Sequence, residues 1–496
     1  MPFGEFLTSF KGNLKKAFYE INDIQKFTQE RGFPAPVLKE IMSGAPLSVS
    51  IPKEYGGRGC HVNECLAILE AASYESLPLS LTFGINIALF LEPVAKYGQA
   101  EAKPEIFNRF LQEQNMGGLM ITEPNFGSDA LNMQTSSEQK GDFYHIKGTK
   151  HWQGLTGMAN YWIMTCRNKS ANGDLARDLE FFIVDESKKD QEIQVKELFN
   201  NIGLYPIPYG LNDVDVEVPS VQKLVPESTG LKLMMDLLHR SRLQFPGMAI
   251  GFIKRLLDEA VEHCNNRFVS GKPLMALDQV KFRISQLQSA FTTASSMCFR
   301  SSKMSGIEEN VAGAAIEANC MKAYVTDLMQ RSAQTVTQLM GAEGYKAETT
   351  SARGIVDSRP FQIFEGSNEM LYTQISEMVL KLVGRKNFTN LADFLSEYSL
   401  TENAADYFKS LFNFNIDFKM PQRKMVDLGK ALSRVVCANY VLDLGNSGFK
   451  KEMIDNCIEN LVNEAKTLIE TMNNTLSSVD DYYYENSGWL NLSFGR

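Results

Sequence analysis

The chain has 496 residues, of which 44% are hydrophobic and 22% charged, and its formal net charge is −9. A chain of this length exceeds one hydrophobic core and predicts a water-soluble protein of several domains. The acidic balance argues against broad nucleic-acid binding, which needs a dense Lys/Arg surface. No stretch approaches about 18 uncharged apolar residues, so we expect no integral membrane segment.

The cysteines and the N-terminus bear on the cellular compartment. Eight cysteines are scattered without a C-x-x-C pair and without a histidine at metal-ligand spacing. We therefore expect free thiols in a reducing compartment and no metal site. Residues 1–21 lack the continuous apolar run of a secretion signal, and Glu5 with few arginines argues against a transit peptide. The sequence predicts an amphipathic helix there and a cytoplasmic protein.

The first predicted unit is an N-terminal helical domain at residues 1–116. Apolar positions recur at intervals of three and four through residues 62–98, which is the period of an α-helix. The stretch "IPKEYGGRG", residues 51–59, breaks this pattern with three glycines. Such a cluster is typical of a turn between helices.

The second predicted unit is a central β-domain at residues 117–228. Its texture changes to short alternating or β-branched runs separated by Gly, Asn and Asp, which is typical of strands and tight turns. The clearest runs are residues 143–154, 160–167, 179–185, 192–198 and 213–218.

Helical patterns return in the rest of the chain. Residues 229–384 contain long helical segments typical of an antiparallel four-helix bundle. Residues 385–496 form a further helical extension, in which Pro421 marks a helix start, and end in an acidic, aromatic tail at residues 477–496. The predicted class is α+β, mainly α, with the extension added to the bundle.

The known nucleotide-binding signatures are missing from the sequence. Neither G-x-G-x-x-G after a strand nor G-x-x-x-x-G-K-[ST] occurs, so neither a Rossmann nor a P-loop site is indicated. A β-domain between two helical domains can instead form an interdomain cleft for a large cofactor.

Two stretches of the β-domain allow two interpretations each. "GGLMITEPNFGSD", residues 117–129, is either an ordinary strand-to-turn transition or an anion or ring-carbonyl site built from the Thr122 and Ser128 hydroxyls and backbone N–H groups. Trp152, just after a predicted hairpin and before a strand, is either a core tryptophan or a flat surface for a flat cofactor.

The stretch "RPFQIFEGSNEM", residues 359–370, places two glutamates four positions apart. Glu365 lies between an aromatic ring and a glycine, after an apolar run that begins at Phe361. The simple interpretation is a solvated glutamate in a loop. The alternative is a carboxylate with a chemical role.

Seven short motifs occur in a characteristic order: "IPKEYGGRG", "ITEPNFGSD", "GDFYHIKGTKHWQG", "GMANYW", "NRFVSGKPL", "QLMGAEGY" and "IFEGSNEM". In order and approximate spacing they resemble the acyl-CoA dehydrogenase family over roughly residues 20–384. Each motif alone is weak, but the combination is highly specific. The resemblance implies an N-terminal helical domain, a central β-domain and a four-helix bundle, with FAD bound non-covalently between the last two.

The resemblance assigns the residues around the flavin. Thr122 and Ser128 look like the residues that hydrogen-bond the flavin ring and the phosphate region of FAD. Trp152 looks like the tryptophan that packs against the isoalloxazine. Gly154 departs from the family, which usually has Thr there with its hydroxyl and backbone N–H near flavin N5. In this chain only the backbone donor remains.

The resemblance also implies a homo-oligomer. Arg267, Gln338 and Gly341 match residues that reach across a subunit interface to the neighbour's FAD. Without the family, Arg267 would be a solvated cation at a helix end. Ser367 replaces the usual Thr of the family and keeps the hydroxyl, and Glu369 falls on a position that contacts the adenosine part of FAD.

Glu365 falls on the catalytic base of the family. Some members instead carry the base one residue before the bundle's arginine, which corresponds to Ser241 before Arg242, and a serine cannot serve as that base. The substrate is expected to contact Arg242, Gly366 and Ser128, with Gly366 letting the thioester approach closely.

The neighbours of Glu365 suit the removal of a proton α to a thioester. That step needs a carboxylate whose pKa is lifted toward neutrality. Burial beside Ile363 and Phe364, away from cations, is expected to raise the pKa of Glu365 by desolvating the charged form. The backbone N–H of Glu365 is expected to help bind the developing enolate oxygen.

The implied function is FAD-dependent α,β-dehydrogenation of an acyl-CoA to the trans-2-enoyl-CoA, with an electron-transfer flavoprotein as acceptor. Within this class the thioester can instead be on an acyl carrier protein, or the acceptor can be dioxygen. Acyl chain length depends on packing around residues 80–91 and is not specified by the sequence.

A third alternative is a flavin-binding relative with a DNA-associated or assembly role. The dense basic run of the acidic extension is its main candidate, although a solvated helix face is the preferred explanation of the run: Arg423, Lys424, Lys430 and Arg434. The extension also parallels the very-long-chain type of the family, which favours a homodimer.

Overall fold

The computed structural model describes residues 1–21, 31–474, 479–482 and 488–493. Much of the predicted acidic, aromatic tail, at residues 477–478, 483–487 and 494–496, lies outside the described residues. The described chain is helical, then β, then helical, which confirms the predicted α+β, mainly α class. All eight cysteines are free thiols, as predicted.

Helices α1 to α6 build the N-terminal part. The predicted turn at residues 51–59 contains a short 3₁₀ turn, Lys53–Tyr55. In chain order the six helices are Phe3–Lys16, Ala35–Met42, Val62–Glu75, Leu77–Asn86, Glu92–Tyr97 and Lys103–Gln112.

Helix α4 continues through a π-helical turn, Ile87–Leu91, into α5. The combined segment Leu77–Tyr97 is long and apolar enough to cross a membrane, so the expectation that no stretch approaches a span is wrong on that measure. In the structure 94% of its most apolar window is buried inside the protein. It packs against α3 and the first bundle helix, which explains its apolar composition.

The central part forms a twisted sheet. Within the described residues seven strands lie in the order β1-β4-β2-β3-β7-β6, with β5 beside β4. Alternate residues of β7 from Gly210 to Val218 are buried, which is the period-two pattern that predicted the strands. The strands are Gly117–Met120, Ser136–Lys140, Phe143–Gly154, Tyr161–Asn168, Glu180–Asp185, Gln194–Leu198 and Tyr209–Pro219.

Long helices form the bundle. Helix α7 is the longest and contains Pro246, which has no N–H to donate to the carbonyl of Arg242 one turn earlier. A small hairpin, Phe268–Val269 and Lys272–Pro273, follows α7. Helices α7 to α11 are Gly230–Asn266, Asp278–Met304, Ala315–Met340, Thr350–Ser358 and Asn368–Arg385.

The extension packs on the bundle. Helix α14 begins directly after Pro421, as predicted, and contacts α8, α9 and α11, while α15 contacts α8 and α14. The described helices α12 to α16 are Leu391–Glu397, Ala405–Phe412, Gln422–Asn446, Lys451–Asn473 and Trp489–Ser493.

Glu464 of α15 joins the extension to the bundle. Its Oε2 accepts hydrogen bonds from Arg434 Nε at 3.0 Å and from the Tyr324 hydroxyl at 3.0 Å. Its Oε1 accepts from Arg331 Nη1 at 2.9 Å. Burial opposes ionisation, but Arg434 and Arg331 outweigh it and lower the pKa of Glu464 to about 2. Arg434 is only 5% exposed, so the solvated-face interpretation is wrong for this residue.

Candidate active site

Glu365 lies in a tight loop between a 3₁₀ turn, Arg359–Gln362, and the start of α11. Glu365 has φ 54° and Gly366 has φ 96°, so two consecutive residues are left-handed. That conformation costs a non-glycine residue roughly 1–2 kcal/mol, and glycine avoids the cost. A strained residue that persists in the fold marks the loop as a functional candidate.

Two buried basic side chains hold the backbone of this left-handed pair. Arg242 of α7 donates from Nη2 to the carbonyl oxygen of Glu365 at 2.7 Å. Lys322 of α9 donates from Nζ to the carbonyl oxygen of Gly366 at 2.8 Å and to Oδ1 of Asn368 at 3.0 Å. Arg242 is 7% exposed and Lys322 is fully buried. The loop is therefore fixed from two different bundle helices.

The two carboxylate oxygens of Glu365 have different surroundings. Oε1 accepts a hydrogen bond from the hydroxyl of Ser241 at 2.8 Å. Oε2 is buried and has no hydrogen-bond partner among the described residues. A buried acceptor without a partner costs roughly 1–3 kcal/mol, and such an atom in a native site calls for a functional explanation.

Burial raises the pKa of Glu365 above its ordinary value, while Arg242, the Ser241 hydroxyl and Lys322 act in the opposite direction. The raised pKa agrees with the expectation from the sequence. The expected distance from cations is wrong, because Arg242 and Lys322 both contact the loop. Ile363, which was expected to share in this burial, is itself 56% exposed.

A cluster of aromatic rings lies next to the loop. Phe245 of α7, Phe361 and Phe364 form a cluster whose ring centroids lie 5.9, 6.0 and 5.0 Å apart. Phe245 and Phe361 are almost completely buried. Phenylalanine rings offer no hydrogen bonds to a carboxylate, so their packing beside the loop disfavours the charged form of Glu365.

Sequence reasoning did not single out Lys322, and it assigned Ser241 no role. A lone lysine within the apolar stretch at residues 320–325 was the available signal, because a buried lysine must find acceptors or lose its charge. Burial lowers the pKa of Lys322 to about 7. Its Nζ donates to one acceptor on Gly366 and one on Asn368, which both the charged and the neutral amine can do.

Trp152 presents an open ring on the sheet. It lies inside β3 at a bulge, where the register with β7 shifts between His151 and Gln153, and not between a hairpin and a strand. The bulge gives Trp152 φ 61°. Its side chain is 53% exposed and packs on Phe199 at 4.5 Å between ring centroids. The core-tryptophan interpretation is therefore wrong, and one ring surface is open to a flat partner.

Thr122 lies beside this strand, and the hydroxyls of Thr122 and of the exposed Ser128 are unpaired. The Thr122 carbonyl accepts hydrogen bonds from the His151 N–H and from Gln153 Nε2, both at 3.0 Å, which holds residue 122 next to Trp152. Within the described part of the chain neither the Thr122 nor the Ser128 hydroxyl makes a hydrogen bond. Both remain available to a ligand.

Gly154 ends β3 opposite Tyr209 of β7. A Cβ at Gly154 would lie 3.0 Å from Ile85 Cδ1 and 3.4 Å from Ile207 and Tyr209. A threonine at this position would therefore crowd α4 against the sheet. Apolar packing gives a physical reason for the departure from the family pattern.

The remaining predicted cofactor residues are exposed. Arg267 directly follows α7, Gln338 lies in the last turn of α9, and Gly341 follows with φ 62°. Ser367 precedes α11 without capping it through its side chain, and Glu369 lies in its first turn. Their contacts with FAD, including those across a subunit interface, stay predictions.

Three family models match consecutive parts of the chain. They describe the N-terminal, middle and C-terminal domains of acyl-CoA dehydrogenase and match residues 17–114, 118–212 and 228–380. Together they cover well over half of the sequence.

The chain belongs to the acyl-CoA dehydrogenase family. Among similar proteins, an acyl-CoA dehydrogenase of Bacillus subtilis (strain 168) is 24% identical over 366 residues, which are 72% of this chain and 92% of that protein. The human mitochondrial short-chain specific acyl-CoA dehydrogenase is 25% identical over 357 residues, 71% of this chain and 84% of that protein.

A crystal structure of acyl-CoA dehydrogenase complexed with FAD from Bacillus anthracis has a TM-score of 0.79 and 18% identity. The match covers 94% of this chain and 88% of that one, so the likeness in fold extends into the C-terminal extension. At this identity the comparison shows the fold alone.

This family member is an FAD-dependent oxidoreductase that acts on acyl-CoA. The site geometry fits the cofactor, because the Trp152 ring is open, the adjacent Thr122 hydroxyl is unpaired, and the exposed Ser128 hydroxyl is unpaired as well. Among the described residues no group of three or more His, Cys, Asp or Glu side chains is placed to hold a metal ion.

Proposed function

We propose that this acyl-CoA dehydrogenase converts an acyl-CoA thioester to the trans-2-enoyl-CoA, with Glu365 as the base that removes the α-proton. The observation that carries the proposal is the buried, unpartnered Oε2 of Glu365. Burial also raises the pKa of this carboxyl, which brings the base closer to the operating pH. A carboxylate with a raised pKa is a stronger base, and removing the proton of a weakly acidic C–H bond requires a stronger base.

The loop can also bind the thioester carbonyl. As the α-proton leaves, negative charge develops on that oxygen and needs donors that are already in place. The backbone N–H of Glu365 makes no hydrogen bond to any described residue. A Cβ at position 366 would lie 2.9 Å from Met370 Cε. A glycine at this position therefore leaves space for the thioester that a larger residue would fill. We assign the carbonyl to the Glu365 N–H and the α-hydrogen to Oε2.

When bound, FAD supplies the acceptor for the β-hydrogen. The chain supplies the surface that orients it: Trp152 offers its ring to the isoalloxazine, and the Thr122 and Ser128 hydroxyls offer donors. The exposure of Trp152 and the unpaired hydroxyls support these assignments. Glu369, Ser367, Arg267, Gln338 and Gly341 are the proposed contacts with the rest of FAD.

Product and isotope analysis of the purified protein tests the proposal. With a series of acyl-CoAs and an artificial electron acceptor, we expect a product lighter by two hydrogens, and in D2O an exchange of the α-hydrogen. Glu365→Gln should lose both, by a factor on the order of 10³ or more in kcat. Glu377→Gln, an exposed position of the same helix α11, is the matched control and should keep both. Absence of enoyl product at every chain length, or a Glu365→Gln variant at the wild-type rate, overturns the proposal.

The carrier and the acceptor are proposals of their own. We propose CoA as the carrier and an electron-transfer flavoprotein as the acceptor, because both follow from the family resemblance. Presenting one acyl group on CoA and on an acyl carrier protein separates the two carriers. Comparing an electron-transfer flavoprotein with dioxygen separates the acceptors.

The DNA-associated alternative depends on the basic run of the extension. Arg434 is buried against Glu464, and Arg423 donates to Asp427 at 3.0 Å and to backbone carbonyls at the end of α15. Two of the four cations are therefore committed to contacts within the chain. Duplex DNA in a filter-binding assay should show no salt-sensitive micromolar binding.

We propose a cytoplasmic homodimer. The exposed ends of α7 and α9 carry Arg267, Gln338 and Gly341, which match family residues that reach a neighbour's FAD and so support the proposal. Helices α14 and α15 already cover faces of α8 and α11 that a larger assembly could otherwise use. Sedimentation velocity of the FAD-loaded protein should give a dimer mass, and a tetramer would contradict the proposal.

A further inference from the structure

We propose that Ser241 is the positioning residue of the base: its hydroxyl holds Oε1 of Glu365 and so leaves Oε2 as the oxygen that takes the α-proton of the substrate. The inference rests on the proposed function of Glu365 as the base. It assigns to Ser241 a role through Glu365 and not on the substrate itself.

The geometry around Ser241 allows little freedom. Ser241 is 4% exposed in the interior of α7, and its hydroxyl donates to Glu365 Oε1 at 2.8 Å. The next residue of the same helix, Arg242, donates to the backbone carbonyl of Glu365 at 2.7 Å. One turn of α7 therefore fixes both the main chain and the side chain of the base, across 124 residues of sequence.

Helical serines and threonines usually donate to the carbonyl one turn earlier. In this protein Thr292, Ser295 and Ser433 do so, to Gln288, Phe291 and Gly429 at 2.9, 2.7 and 2.7 Å. Ser241 makes no such bond, and its single donor is directed at Glu365. The helix therefore presents this hydroxyl to the base.

The proton-transfer step follows from this arrangement. The α C–H bond of the thioester breaks, its electron pair delocalises into the thioester carbonyl as an enolate, and the proton forms a new O–H bond at Oε2. Oε1 accepts the Ser241 hydrogen bond, which makes it the less basic of the two oxygens, so Oε2 is the favoured acceptor of the proton. Because the carboxylate is held at one oxygen, the free oxygen keeps one orientation, which favours the reactive geometry.

The same hydrogen bond sets the pH at which the base is ready. A donor to the ionised carboxylate favours the charged form, so loss of the Ser241 hydroxyl should raise the pKa of Glu365. The charged groups that face Glu365 are Arg242 of α7 and Lys322 of α9. Lys322 itself has its pKa lowered to about 7, so the comparison is made between variants that both retain it.

The test compares the wild type, Ser241→Ala, Ser241→Thr and the control Ser295→Ala, whose hydroxyl bonds only to its own helix. The acid limb of the kcat/KM profile should move upward by about one pH unit in Ser241→Ala, since a hydrogen bond to a charged group is worth about that much. The ratio of the kcat/KM of Ser241→Ala to that of wild type should therefore be about tenfold lower at low pH than at high pH. Ser241→Thr should restore the limb, and Ser295→Ala should not move it.

A second measurement separates proton transfer from oxidation. An acyl-CoA with sulfur in place of the β-carbon can lose its α-proton but has no β-hydrogen to give, so its enolate accumulates on the enzyme. The pH at which the long-wavelength absorbance of that complex appears should rise in Ser241→Ala. An unchanged limb and an unchanged enolate titration overturn the role of Ser241. If the wild type makes no enoyl product and no enolate, the proposed function fails instead.

Discussion

Lys322 Nζ lies 2.8 Å from the carbonyl oxygen of Gly366, next to the proposed base. The lysine is fully buried and comes from α9, 44 residues before the loop it holds. Arg242 holds the preceding carbonyl in the same way. The left-handed turn at Glu365 is thus maintained by two bundle helices. Mutations of the residues that hold it should therefore alter the position of the base.

Lys322→Met should remove a pH dependence of stability. Burial lowers the pKa of Lys322 from 10.5 to about 7, so between these pH values the unfolded chain holds a proton that the folded chain has lost. The free energy of unfolding contributed by this residue therefore rises with pH through that window, by up to about 4 kcal/mol. Urea unfolding at pH 7, 8.5 and 10 measures the free energy of unfolding of wild type and variant. The value for wild type minus the value for Lys322→Met should increase with pH.

The control for that measurement is Lys381→Met, an exposed lysine on α11. Other titrating groups act equally in wild type and variants and cancel in the difference. A constant difference between wild type and Lys322→Met would show that Lys322 titrates normally.

Glu464→Gln should weaken the docking of the extension. Burial raises the pKa of this carboxyl, but Arg434 and Arg331 outweigh burial and bring it to about 2. A lowered carboxyl pKa stabilises the fold above about pH 4.5, and the contribution is lost as pH falls toward 2. The side chain is 29% exposed, so we expect a loss of about 2 kcal/mol at pH 7 after allowance for solvent screening.

Unfolding of the Glu464 variant is best followed by circular dichroism from pH 7 to pH 2.5. The difference in free energy of unfolding between wild type and Glu464→Gln should become smaller as the pH falls. Glu470→Gln changes an exposed glutamate on the same helix and should match wild type throughout. A gap of equal size at both ends of the range would exclude the ion-pair explanation.

Gly154→Thr should crowd the packing between α4 and the sheet. Its Cβ would lie 3.0 Å from Ile85 Cδ1, and overpacking of this kind costs roughly 1–3 kcal/mol. The melting temperature and the FAD content should both fall. Ile85→Ala in the same chain should recover part of the loss, and the coupling energy from the double-mutant cycle should be favourable. Additive effects of the two substitutions would show that Ile85 is not the obstacle.

Trp152→Ala should release FAD without unfolding the protein. The side chain is 53% exposed, so its removal costs the fold little, but a ligand that stacks on it loses its surface. The purified variant should contain less FAD than wild type. The increase in melting temperature that FAD causes should also be smaller in the variant than in wild type. Phe143→Ala, at the exposed start of the same strand, should retain FAD. Equal FAD content in both variants would argue against stacking on Trp152.

Local patterns in the sequence predicted much of the fold. Alternation of valine with acidic residues at positions 213–218 predicted β7, and Pro421 marked the start of α14. The motif at residues 363–370 drew attention to Glu365 because the aromatic ring, the carboxylate and the glycine are neighbours in sequence, and the family resemblance then assigned it as the base.

Long-range contacts could not be predicted in this way. Lys322 and Ser241 reach the loop from other helices, and no local sequence pattern indicates that they lie close to it. The burial of Arg434 depends on Glu464, which lies 30 residues away on another helix. The bulge that exposes Trp152 depends on the register between β3 and β7.

The central claim is that Glu365 takes the α-proton of an acyl-CoA thioester. Anaerobic titration of the FAD-loaded protein with a series of acyl-CoAs tests it most directly, because bleaching of the flavin band reports reduction in a single turnover. The account predicts bleaching of the wild type by at least one chain length and none of Glu365→Gln, although that variant should still bind FAD. Wild-type bleaching by Glu365→Gln, or no bleaching of the wild type by any acyl-CoA, would contradict it.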